Sequence, residues 1–325
     1  MRRLRAMPVH IKLTSRYVTT AVCAILAVAT LTGLYILRAN AGTGQSGPRA
    51  NASAGQFGPR ANAGTGQSAP RPSLAATGQY VPRANSDTTE LCDEQAAQVG
   101  RGTYIVENNE FDSSASECMG TDSGADFTVA NSAISTATNG PPGAYPSIYQ
   151  GCHWGSCSSG GLTSTPIQVS ALTAGIVTSS WSTTQPGTGA YDVVYDIWFN
   201  KTPRTTGQPD CTELMVWLNH NGSVQPFGGE VASDVTVGGH TYNIWEGQQS
   251  TWNTISYEMT TGTTSVSDLD IGTLAQDAVS RGYLSSSCYL IDVEAGFELW
   301  QGGAGLSTNS FSVDVASGGS GPLLA

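Results

Sequence analysis

Cations are almost missing from most of this chain. The first 85 positions hold ten Lys or Arg and no acid, while the remainder sets four cations against 25 Asp and Glu, a formal charge of −21. A phosphate backbone must be met by a basic face, so nucleic acid is excluded as a partner. Histidine is scarce as well: past position 85 only His153, His220 and His240 occur, and no G-x-S-x-G turn accompanies them. That removes the ground for a Ser-His-Asp hydrolase. His220 and His240 fall at strand ends, where exposure is expected, and His153 is expected to line a cleft or fix its own loop. An acidic, soluble surface with so few cations suits a neutral polysaccharide better than a charged polymer.

What is present divides at about position 88. Met1 to Arg16 is basic, Tyr17 to Leu37 is an uncharged run of 21 mostly apolar residues, and Ala39-Asn40-Ala41 supplies an A-x-A cleavage site. Residues 1–41 are therefore expected to be an export signal, with a membrane anchor as the alternative because the run is long for a signal core. From Arg38 a unit of eleven residues repeats (RANAGTGQSGP, RANASAGQFGP, RANAGTGQSAP), and residues 42–88 read as a disordered linker with nothing to bury. The match Gly42-x-Gly44-x-x-Gly47 to a dinucleotide fingerprint lacks a strand before it and a helix after it.

Cys23 lies in the apolar run, leaving six cysteines: Cys92, Cys118, Cys152, Cys157, Cys211 and Cys288. In an exported chain these read as three disulfides, among fifteen formal pairings. Joining sequence neighbours, Cys92 to Cys118 and Cys152 to Cys157, is the economical solution and leaves Cys211 for Cys288. Zinc held by Cys152, His153 and Cys157 is disfavoured, because oxidation competes and no further Cys/His pair completes a tetrahedron.

Residues 89–318 are rich in Thr, Ser, Val, Tyr and Gly, with short alternating runs between turn residues. Eleven candidate strands can be marked in this one unit, among them Pro166 to Ala171 and Tyr289 to Trp300, which favours an all-β, two-sheet antiparallel sandwich or jelly roll. A single helix is expected over Leu269 to Leu284, capped by Asp270, ended by Gly282 and packed outside the sheets.

Three of the strands share a design. In CTELMVWLN, Thr212, Leu214, Val216 and Leu218 alternate with Cys211, Glu213, Met215, Trp217 and Asn219. In YDVVYDIWFN, apolar Tyr191, Val193, Tyr195, Ile197 and Phe199 alternate with Asp192, Val194, Asp196, Trp198 and Asn200. In VEAGFELW, Val293, Ala295, Phe297 and Leu299 alternate with Glu294, Gly296, Glu298 and Trp300. Each strand has one apolar face and one face that sets a carboxylate near a Trp. A solvated sheet face has little use for Trp, whereas pyranose rings stack on indoles and need polar groups around the rim. Two glutamates on facing strands also fit glycosidic cleavage. Carboxyls about 5 to 5.5 Å apart give retention through a covalent intermediate, and about 6.5 to 9.5 Å gives inversion.

At these residues the chain resembles glycoside hydrolase family 12, the low-molecular-weight endoglucanases. Glu213-Leu-Met-Val-Trp217-Leu-Asn matches the family's nucleophile strand, and Gly296-Phe-Glu298-Leu-Trp-Gln-Gly-Gly303-Ala-Gly305-Leu306 matches its acid/base segment. Tyr195-Asp196-Ile-Trp198, Cys152-His153-Trp154-Gly155 and Gln225-Pro226-Phe-Gly228 match further elements, in order between Leu91 and Val315. The resemblance implies a jelly roll with a concave cleft and retaining endo-hydrolysis of β-1,4-glucans. It also implies an enzyme needing neither metal nor organic cofactor, and with the export signal the protein is expected to be secreted, or anchored at the cell surface, and monomeric. Glu213 would be nucleophile, Glu298 general acid/base and Asp196 the nucleophile's helper. Asn109, Trp154, Met215, Trp217 and Trp300 would bind sugar. Asn108-Asn109-Glu110-Phe111 departs from the family's N-N-x-W, so Phe111 would form a smaller stacking surface, which leaves xyloglucan hydrolysis or transglycosylation as an alternative. A glycan-binding sandwich without catalysis is the reading from another class.

Overall fold

The computed structural model describes residues 88–316. The expected signal or anchor and almost all of the expected repeat linker lie outside the described residues. Among those described, no helix is long and apolar enough to cross a membrane.

The strands form two sheets. One has six strands in the order Thr89–Cys92, Glu117–Thr121, Phe127–Ser132, Ser307–Val315, Val177–Thr184 and Ser265–Asp270. The main path of the other runs Gly229–Val237, His240–Gln248, Asn253–Met259, Thr212–Asn221, Ala190–Asn200, Tyr289–Gly296, Ser147–His153, Tyr104–Glu107 and Ala96–Val99. Pairing is antiparallel throughout, save that Thr212–Asn221 runs parallel to Asn253–Met259. This is the all-β jelly-roll sandwich that the alternating runs predict.

Alternation decides the core. Val193, Tyr195, Ile197 and Phe199 meet Leu214, Val216 and Leu218, and all join one apolar cluster between the sheets with Trp181, Phe297 and Phe311. Each fully buried Leu, Ile, Val or Phe adds about 1.5 to 3 kcal/mol, which makes this layer the main source of stability. The helix covers Ile271–Arg281. Asp270 Oδ1 accepts the Thr273 N–H at 3.0 Å, Gly282 closes the last turn at φ 84°, and Ile271, Leu274, Ala275 and Ala278 are buried. Leu269, inside the expected helix, lies in the strand Ser265–Asp270 instead, and Asp270 is the N-cap as expected.

Several strands differ from expectation. Pro166 to Ala171 was expected to be a strand, yet only Ile167–Gln168 pairs before a 3-10 turn at Val169–Ala171. The expected strand Tyr289 to Trp300 breaks at Phe297-Glu298 and resumes as Leu299–Gln301. Ser147–His153, unmarked in the sequence, is buried on both faces up to Cys152 and so shows no alternation. The disulfides join Cys92 to Cys118, Cys152 to Cys157 and Cys211 to Cys288. The first two pairs face each other directly across antiparallel ladders.

Candidate active site

Ladder register assembles the site. Glu213 lies opposite Trp198 on one neighbouring strand and beside Thr254 on the other. One rung along, Met215 faces Asp196, which in turn faces Glu294, and one rung further Trp217 faces Val194. All of these point away from the main core. Trp217, Met215, Val194 and Trp300 form a second buried cluster with Tyr145, Ala190 and Val224.

Over this face lies a cavity of about 520 Å³ lined by Glu213, Met215, Trp217, Glu298 and Trp300. Its rim comes from the 138–142 and 225–228 loops and Gln249. Five of the nine residues expected from the sequence to act or bind are thus brought to one space. Asp196 sits beneath it, 5 % exposed, with Oδ1 buried and without a partner. Trp154 does not line this cavity. It stands 43 % exposed beyond it, held at φ 42° in the tight loop closed by the Cys152–Cys157 bridge, with its ring 5.1 Å from Trp198. Asn109 and Phe111 also lie off the cavity: the Asn109 carbonyl accepts the Tyr145 N–H at 3.0 Å, and the Phe111 ring is exposed. Asn219 leaves the face on which alternation puts it. Leu218 is one extra residue in the ladder, so Asn219 lies opposite core-facing Val193 and donates to Gln185 Oε1 at 2.6 Å.

The two glutamates have different surroundings. Glu213 Oε2 accepts from Thr254 Oγ1 at 2.7 Å and from Trp252 Nε1 at 3.1 Å. Burial lifts its pKa, these two donors and the His153 charge pull it back, and Glu294 adds repulsion. Glu298 is held well above the ordinary carboxylate range, first by burial, then by the Asp192 carboxylate beside it, then by Glu213. Asp196 is raised well above its usual value by burial and then by Glu213, Glu298 and Glu294.

Behind these lies a charge cluster. His153 Nδ1 is 3.0 Å from Glu294 and 3.7 Å from Asp292, and Nε2 is 3.5 Å from Glu107. Burial opposes a charge on the ring, but the carboxylates outweigh it and hold the imidazole pKa well above normal. Burial likewise pushes Glu107 up to about 7 and Asp292 up to about 8. Glu107, His153 and Glu294 come close enough to share a cation, with ligand atoms within 4.8 Å of one another. The imidazolium already supplies positive charge on both ring edges, so an ion-pair network explains the group. His153 therefore fixes the loop, with its ring 4.4 Å from Trp154. His220 is exposed as expected, 3.6 Å from Glu258, whereas His240 is half-buried at the start of its strand.

Sequence reasoning missed Asp192, Trp252, Thr254 and Phe227. Asp192 shares the cleft face with Asp196 four residues on, and that spacing was the available signal. Trp252 and Thr254 reach Glu213 only through the parallel pairing of distant segments, which carries no local signature.

A two-sheet β-sandwich with two glutamates and two indoles lining one cavity marks a protein of the glycoside hydrolase class. The chain belongs to glycosyl hydrolase family 12, whose model matches residues 102–316. It is 35 % identical over 130 residues to the Mycobacterium tuberculosis protein named "Probable cellulase Cel12b", covering 40 % of this chain and 84 % of that one. It is 31 % identical over 236 residues to the Aspergillus terreus "Probable xyloglucan-specific endo-beta-1,4-glucanase A", covering 70 % and 88 %. The structure of endoglucanase cel12A from Rhodothermus marinus matches with TM-score 0.65 and 41 % identity, over 70 % of this chain and 98 % of that one.

Proposed function

We propose that the protein cleaves internal β-1,4-glucosidic bonds of β-glucans with retention of configuration, using Glu213 as nucleophile and Glu298 as general acid/base. The broader statement, a glycosidase acting on β-1,4-glucans, follows from its family. One observation carries the finer one: two glutamates on a single cavity, one steadied as a carboxylate by two donors and the other kept protonated by burial and a neighbouring carboxylate.

In the first step Glu298 gives its proton to the glycosidic oxygen as Glu213 Oε bonds to the anomeric carbon, releasing the leaving sugar as an alcohol. In the second, the Glu298 carboxylate takes a proton from water, whose oxygen displaces Glu213. Asp196, its pKa raised well above normal by burial and then by Glu213, stands beneath the cavity as the nucleophile's helper. Met215, Trp217 and Trp300 supply the floor on which the sugar lies, and Trp154 extends it beyond the cavity. Three disulfides suit an oxidising compartment, in keeping with secretion or tethering through the N-terminal run; the catalytic domain, residues 89–318, works as a monomer.

The test is the first-formed anomer. Proton NMR of cello-oligosaccharide hydrolysis should show the β-anomer before mutarotation, and an initial α-anomer would refute the nucleophile role. Xyloglucan is the second reading, favoured by the exposed Phe111 at a family Trp position. Product analysis on carboxymethyl-cellulose, mixed-linkage glucan and xyloglucan separates the two, and polymer chains with newly formed sugar linkages would indicate transglycosylation. Glucan binding with no reducing ends formed on any polymer would favour the non-catalytic reading.

A further inference from the structure

Asp192 has no role in the reaction as written, yet it is completely buried beside Glu298. Its Oδ1 accepts the Glu298 backbone N–H at 2.9 Å, and its own N–H donates to the Glu298 carbonyl at 3.2 Å. These bonds fall where the chain breaks between Tyr289–Gly296 and Leu299–Gln301. Gly296 begins that break with no room for a side chain, since a Cβ would lie 2.5 Å from the Pro146 carbonyl oxygen. The break swings Glu298 out of the ladder, and Asp192 catches its backbone.

The second oxygen carries the argument further. Asp192 Oδ2 is buried with no hydrogen-bond partner, and an unpaired buried carboxylate oxygen is costly. The group within its reach is the Glu298 carboxyl. One proton between the two carboxyls satisfies both.

We propose that Asp192 is the positioning residue of Glu298, clamping its backbone and sharing one proton with its carboxyl so that the acid enters each cycle protonated. This rests on Glu298 being the general acid. The other ionisable groups around the pair are Asp196 on the same strand, Glu213 on the next, Tyr145 from the 138–146 segment and His220 opposite Asp192 in the ladder. Asp196 and Glu213 are acids whose repulsion acts in the same direction as that of Asp192. Burial, then the Glu298 bonds and the Asp196 charge, set the Asp192 pKa at about 8.

The test is the pH profile of D192N. Asparagine keeps the acceptor for the Glu298 N–H, removes the charge and offers an N–H to the ionised Glu298, which favours loss of the acid's proton. The alkaline limb of kcat/KM should move to lower pH by about one to two units, the size of one adjacent charge. KM for cello-oligosaccharides at pH 5 should stay within about threefold, since sugar contacts are untouched. An unmoved limb in a variant with unchanged Tm overturns the proposal. Should D192N not fold, ¹³C-carboxyl NMR of the unsubstituted enzyme decides: a shared proton makes both side chains report the same two titration steps, and two independent single steps overturn it. E298A separates this proposal from the reading beneath it. If E298A cleaves unactivated glucan normally, the acid assignment falls. If it is crippled on glucan and far less so on an aryl cellobioside with a good leaving group, while the D192N limb stays put, only the Asp192 role falls.

Discussion

At Glu213 two donors converge on one carboxylate oxygen, Thr254 Oγ1 at 2.7 Å and Trp252 Nε1 at 3.1 Å. At Glu298 the side chain brought alongside is another carboxylate, that of Asp192. The same functional group on the same cavity is thus given opposite neighbours, and burial magnifies the contrast because neither charge can be answered freely by water. On the proposed mechanism, the role of each carboxylate is set by the side chains that the fold brings against it.

The hardest way to break the comparison is to remove the charge at Glu213. E213Q should lower kcat on β-glucan by on the order of 10⁴-fold or more, the scale of losing a covalent nucleophile. Affinity for cello-oligosaccharide, read by calorimetry, should change by only about threefold, because the indole floor is intact. Normal cleavage by this variant would remove Glu213 from the mechanism.

Thr254→Val sharpens the contrast. A donor to the ionised form lowers the Glu213 pKa, so deleting one raises it, and the nucleophile is protonated at higher pH. The acid limb of kcat/KM should rise by about one unit, the worth of one charge-assisted hydrogen bond. The alkaline limb, governed by Glu298, should hold still; movement of the alkaline limb alone would mean that the two roles are exchanged. The smallest effect belongs to the rim. F111W enlarges an exposed ring away from the carboxylates, and should tighten binding of long cello-oligosaccharides about two- to fivefold, the worth of one further stacking contact, while leaving both pH limbs in place. No gain in affinity would mean that position 111 does not meet the glucan.

Much of this site was legible before any fold was known. Alternation alone put Glu213, Met215, Trp217, Glu298 and Trp300 on one side of their strands, and all five line the cavity. It failed at Asn219, because the bulge at Leu218 reverses the faces beyond it. It was blind to Thr254 and Trp252, since period two names a face but never the neighbouring strand. A perturbed carboxylate is no guide by itself either. Burial drives Glu117 up to about 8, although it does not line the cavity and lies in the six-stranded sheet.

The sequence by itself determined which residues could be buried on which face, where the cysteines stood and which face carried acids beside indoles, because these follow from side-chain chemistry and strand period. Only the tertiary structure decided that Glu213 would meet two donors and Glu298 an acid. Those pairings join segments about 40 and 106 residues apart, and are fixed by ladder register and by the break at Phe297-Glu298.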